Sequence, residues 1–332
     1  SGSGQLVVNG GLLHQTDNCV YSNGGTVTLS GTTLQSCSQS AVLLTQSSVS
    51  IDGVTLGVGN EKGLHLRGVT GTVSNLDASA HDGADAAIHL EMVDEGLSLS
   101  GLNLSYGGVS AALVAEWSDM VVVSASDIYG TPGLLLSNSA GNLDDIDFHG
   151  NGTGVALVVQ GVRAERTTVI DCDFDDYDTA VLLTGDEGDV ENDQPLFVGN
   201  SHHATTAYAA DGFGFESRGE IIQGDINLGG GKEYLAEIWD PVEFDSATVS
   251  ITGLAGLLAG STWSLEVLGD AGLPLIDAWV DVTVESFGGT ITEQVVSSPT
   301  ADGSASFPLI YQTWSESGDS SSTTALWSAA AP

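Results

Sequence analysis

The chain has 332 residues, 41% of them hydrophobic, with 44 glycines and a formal net charge of −38 from 44 acidic and 6 basic side chains. That field repels nucleic acid and anionic headgroups and excludes a nucleic-acid partner, while the apolar content argues against a disordered chain. No stretch reaches the ~20 apolar residues of a membrane-spanning helix, so no membrane insertion is expected of these residues, and self-repulsion on this scale points to a saline, halophilic or marine setting.

The opening Ser1-Gly2-Ser3-Gly4 has neither a charged n-region nor an apolar h-region and reads as the start of a mature or excised segment. Short apolar runs then recur in two ladders. The first passes through Leu34, Leu56, Ala78, Leu104, Ile128, Phe148 and Phe174, at spacings of 22, 22, 26, 24, 20 and 26. The second passes through Val42, Leu64, Ile88, Leu113, Leu134, Val155 and Val181, at 22, 24, 25, 21, 21 and 26. A common period means that each coil gives one strand to each of at least two parallel sheets, stacked about 4.8 Å apart. Gly31, Gly53, Asn75, Gly101, Asp145 and Asp171 recur beside the first ladder, where a bend between sheets needs a permissive backbone. Cys19 and Cys37 fall in neighbouring coils, where a disulfide and two free thiols are both open, and Cys172 takes an apolar core position.

Residues 166–184, read as Val169-Ile170-Asp171-Cys172-Asp173-Phe174 followed by Ala180-Val181-Leu182-Leu183, are the best copy of the coil. They resemble the pectate-lyase-like and NosD-like right-handed β-helix families, whose coils read V-x-I-x-[DNG]-[CVL]-x-[FIL] and then G-[IV]-x-[LV]. The resemblance spans roughly residues 5–250 and implies a right-handed parallel β-helix. It leaves function open, because that scaffold hosts lyases, hydrolases, adhesins and structural proteins.

From Trp263 the coil period gives way to longer alternating strands. Gly272-Leu273-Pro274-Leu275 running into Ala278-Trp279-Val280, with Thr300-Ala301-Asp302-Gly303 downstream, is similar to a carboxypeptidase-regulatory or transthyretin-like module. The expected fold class is therefore all-β: a right-handed parallel β-helix (solenoid) over residues 1–255 and a C-terminal antiparallel β-sandwich domain over 256–332. That last module stops soon after its Asp-Gly turn, which leaves room for a natural polypeptide continuing beyond Pro332.

Alternation points Leu64, Leu66, Ile88 and Leu90 inward, so His65, Arg67, His89 and Glu91 face outward, with Glu116 one coil further on. A charged, imidazole-bearing patch on a flat β-helix face suits an extended polysaccharide or cell-surface glycan, and the imidazoles suit a metal. The same residues also fit a solvated ladder whose exposed Arg67–Glu91 pair contributes about 0–1 kcal/mol. In the acidic loop, Asp186, Asp189, Glu191 and Asp193 offer oxygen ligands for Ca²⁺, although without the spacing of an EF-hand. Asp171, Asp173, Asp175, Asp176 and Asp178 form a further cluster, read as solvated turn.

No catalytic set is expected. Asp144-Asp145 near His149 invites comparison with glycosidases, but adjacent strand residues point to opposite faces. The G-H-G and R-I-K elements of the polygalacturonase-like family are missing. Pectate-lyase-like enzymes need Ca²⁺ with a basic Arg or Lys, and only Arg67 projects into a carboxylate patch. The leading expectation is a non-catalytic extracellular or cell-surface scaffold for adhesion, carbohydrate binding or structure. A polysaccharide lyase or glycoside hydrolase is the alternative, and self-association into a filament or surface layer is the third reading.

Overall fold

The computed structural model describes residues 4–93, 96–106, 110–161, 166–185, 194–231, 233–244 and 248–266, then residues 268, 274, 279–285, 292–299, 304–315, 321–322 and 329–330. Among the described residues every regular element is a strand, and the chain winds into a parallel β-solenoid of about 11 turns.

Each turn contributes to three sheets, one more than the two ladders demand. A strand such as Thr26–Gln35 serves two of them, because it bends at Gly31 (φ 56°) and pairs with Ser48–Asp52 before the bend and Thr55–Leu56 after it. The left-handed backbone recurs at this corner at Gly53, Asn75, Gly101, Asp145 and Asp171, as their spacing predicts, and also at Ala125 (φ 47°). Only residues tolerating positive φ fit there cheaply, so the corner is written in Gly, Asn and Asp.

The interior consists of three stacked rows. The first sheet contributes Leu29, Ile51, Val73, Leu99, Val123, Leu143, Val169 and Phe197, rung upon rung. The second follows the predicted ladder from Leu34 to Phe174 and continues through His202 and Ile222. The third runs through Val42, Leu64, Ile88, Leu113, Leu134, Leu157, Val181 and Tyr208. Leu157, not Val155, is the rung above Val181, while Val155 pairs with Thr179 and is only half-buried. A slip of two residues preserves the in-out phase of a strand, so alternation alone could not separate them. These rows are closed to solvent and form one continuous hydrophobic cluster, and each fully buried Leu, Ile, Val or Phe contributes roughly 1.5–3 kcal/mol.

Asp144 and Asp145 depart from the expectation of opposite faces. Both are exposed, because Asp145 (φ 55°) occupies the left-handed corner that ends the strand segment carrying Asp144. Cys19 and Cys37 form a disulfide between neighbouring turns, with Cα atoms 5.6 Å apart, and Cys172 is a free, buried thiol.

The strand Ala255–Glu266 closes the described solenoid. It lies parallel on Tyr234–Trp239 from Ala255 to Gly260, then pairs antiparallel with Ser304–Ser315 along nearly its whole length. The expected boundary between residues 255 and 256 thus falls within a single strand shared by both pairings. Trp279–Glu285 and Thr292–Pro299 form a further antiparallel pair.

Candidate functional site

The third sheet presents an outer row of Leu43, His65, His89, Val114 and Leu135, flanked by a row of Thr45, Arg67, Glu91, Glu116 and Ser137. Register therefore places His89 on His65, Glu91 on Arg67 and Glu116 on Glu91. The imidazoles stack with ring centroids 4.9 Å apart and planes 18° from parallel. Arg67 Nε lies 3.6 Å from Glu91 Oε1, and His89 Nε2 lies 3.3 Å from Glu116 Oε2.

This face is less open than a flat sheet, because the longer connection before Ile88 brings Asp85 over it. Asp85 Oδ2 meets Lys62 Nζ at 2.9 Å and Oδ1 accepts the Ala86 amide. Burial works to raise the Asp85 carboxyl, but the Lys62 ammonium and that amide prevail and hold it below its usual range. The His65 imidazole is pushed down by burial first, then by His89 and Lys62, against the opposing pull of Glu91, a net shift that favours its neutral form. His65 Nε2 lies 3.6 Å from Glu91 Oε2, and His89 Nδ1 lies 3.8 Å from Asp85 Oδ2. Both separations exceed hydrogen-bonding range, leaving these two buried ring nitrogens without a hydrogen-bond partner.

Apolar surface borders the polar patch. Val114 packs with Ala86, Ala111 and Leu135 on the outside of the sheet. At the next corner Met92 and Trp117 are exposed, both with left-handed backbone, and Arg67 Nη2 reaches Met92 Sδ at 3.8 Å. Sequence reading passed over Trp117 because a lone aromatic beside a polar run carries no period. The predicted calcium ligands Asp186, Asp189, Glu191 and Asp193 lie outside the described residues.

A second constellation, on the outer surface of the second sheet, was also missed. Asn103, Asp127, Asp147 and Asp173 stand in register on successive strands, and Tyr129, His149, Asp175 and His203 form the adjacent row. The aspartates expected to cluster around residue 175 are thereby divided: Asp171 and Asp176 take left-handed positions, whereas Asp173 and Asp175 belong to these two rows.

The fold and its rungs define the chain as a parallel β-solenoid with at least two chemically distinct outer faces. No family model matches the sequence, and no curated protein or solved structure matches it.

Proposed function

We propose that this chain is a non-catalytic secreted or cell-surface scaffold: a right-handed parallel β-helix offering its third sheet to a glycan, with a transthyretin-like sandwich as spacer. The observation that carries this reading is the charge pairing within the patch. Arg67 Nε lies 3.6 Å from Glu91, and Lys62 holds Asp85 ionised. A glycosidase needs one carboxyl kept protonated by its surroundings, and in this patch Asp85 is shifted the opposite way.

Fixed, paired polar groups beside an exposed indole suit recognition of a sugar chain. Trp117 offers an apolar platform for a pyranose face, while Arg67, Glu91, His89 and Glu116 offer donors and acceptors to hydroxyl groups. The net charge of −38 favours neutral over anionic polysaccharide. The Cys19–Cys37 disulfide supports an oxidising, extracellular setting.

The test is a panel of neutral and acidic polysaccharides, assayed for retention of the protein and for release of reducing ends or unsaturated products, with and without Ca²⁺. Retention of a neutral glycan without product, weakened in Trp117→Ala, is the expected result. Turnover that disappears in His89→Ala would overturn the proposal in favour of an enzyme.

A further inference from the structure

We propose that Asp127, Asp147 and His149 on the second sheet bind one divalent transition-metal ion, for which Zn²⁺ is the probe. This site is on a different sheet from the glycan patch and does not depend on it.

Register creates the donor set. Asp127 pairs directly with Asp147 on the next strand, and His149 follows Asp147 by two residues, so all three side chains leave the same face. One ligand atom from each lies within 4.8 Å of the others, and His149 Nε2 is 3.3 Å from Asp127 Oδ1. The imidazole is braced in this position by Tyr129, one rung away, on which its ring stacks with centroids 4.4 Å apart and planes at 19°.

Charge gives an independent reason. Carboxylates directly opposite on neighbouring strands repel, and this row places Asp127, Asp147 and Asp173 on consecutive rungs. The described ion pairs of the Lys and Arg side chains lie elsewhere: Lys62 pairs with Asp85, Arg67 with Glu91, and Arg166 and Arg218 with Glu216. A cation held between Asp127 and Asp147 would relieve that repulsion.

The donor types choose the ion. Zinc takes nitrogen and carboxylate oxygen at about 2.0–2.2 Å, which makes the edge between two tetrahedral ligands about 3.3–3.6 Å. The His149–Asp127 spacing of 3.3 Å already matches that edge, and the exposed carboxylates can rotate to close the rest. Calcium prefers six to eight oxygens, so an imidazole in the set counts against it.

The experiment is calorimetric titration of the whole chain with ZnCl₂ in high salt and excess Mg²⁺, which suppress loose counterion binding. The proposal expects one saturable site that His149→Ala and Asp147→Asn each weaken by about tenfold or more, with His65→Ala and His89→Ala leaving it unchanged. Cobalt bound in place of zinc should give the visible absorption of a four-coordinate site in the wild type and lose it in His149→Ala. The proposal is overturned if no saturable binding occurs, if affinity survives His149→Ala, if it falls instead with His65→Ala or His89→Ala, or if Ca²⁺ displaces zinc at equal concentration. Circular dichroism of each variant separates a lost ligand from a lost fold.

Discussion

Replacing Glu220 by alanine should destabilise the solenoid by about 3–5 kcal/mol at pH 7, although Glu220 touches neither outer face. Its carboxylate sits at an interior corner, fully closed to solvent. Asn200 Nδ2 donates to Oε1 at 2.6 Å, and Tyr208 Oη and Ser217 Oγ donate to Oε2 at 2.5 and 2.6 Å. His202 Nε2 lies 3.4 Å from Oε2 and 3.0 Å from Tyr208 Oη. Alanine would strand three buried donors beside an imidazole, at roughly 1–3 kcal/mol for each donor left unsatisfied, while Glu220→Gln keeps the shape and should cost less.

The pH dependence follows from the direction of the shift. Burial raises the Glu220 carboxyl, but His202, Ser217 and Tyr208 outweigh burial and lower it below the ordinary 4.5. A carboxyl lowered in the folded state contributes stability that is complete above its unfolded value and is lost as pH falls through the folded one. The gap between wild type and Glu220→Ala should thus be constant from pH 7 to about 5 and shrink at lower pH. Comparing the two proteins cancels the general relief of repulsion that acid brings to both. Urea unfolding followed by circular dichroism measures the gap, and hydrogen exchange over residues 216–229 shows whether these turns open first. A gap below about 1 kcal/mol at pH 7, or one as large at pH 3 as at pH 7, would refute the reasoning.

Other perturbations test the corner, the thiol and the charge. Ala125→Gly should stabilise the chain by about 1 kcal/mol in the same urea assay, because Ala125 (φ 47°) holds a corner that glycine adopts without steric cost; a lower midpoint would contradict this. The Cys172 thiol, pushed up to about 12 mainly by burial, should resist a thiol reagent in the native protein. In urea it should react as a single thiol per chain, and reaction of three would contradict the Cys19–Cys37 bridge. Raising NaCl from about 0.05 to 1 M should raise the thermal midpoint by screening a net charge of −38, and an unchanged midpoint would count against self-repulsion as a destabilising force.

Two of the three interior rows were legible in the sequence because Leu, Ile, Val and Phe recur there with a steady period. The corner between the first and second sheets was legible because Gly, Asn and Asp tolerate the backbone it imposes. Ala125 escaped notice because it does not advertise a bend, and Leu157 because Val155 shares its phase. The second row was cut off at Phe174 because its next member is His202, which stacks on the Phe174 ring with centroids 5.0 Å apart. A histidine reads as polar in a sequence, yet here it substitutes for a core aromatic, its Nε2 lying 3.0 Å from Tyr208 Oη and 3.4 Å from Glu220 Oε2. The outward face shared by His65 and His89 followed from alternation, whereas Asp85 came from a connection whose path no period describes. Asp127, Asp147 and His149 were hidden by composition: among 44 acidic residues, only register distinguishes those that share a face.

Both candidate sites exist only if strands stack in register on consecutive turns. Nitroxide labels at Ser50→Cys and Thr72→Cys, two exposed positions paired on neighbouring strands, measure that register directly. Labels on backbones about 4.8 Å apart should give a strongly broadened paramagnetic resonance spectrum. Moving the second label to Val122→Cys, reached from Thr72 through Ser98 and so three rungs from Ser50, should remove most of the broadening. Narrow lines for the Ser50–Thr72 pair, or equal broadening for the two pairs, would contradict the stacked solenoid and both sites built on it.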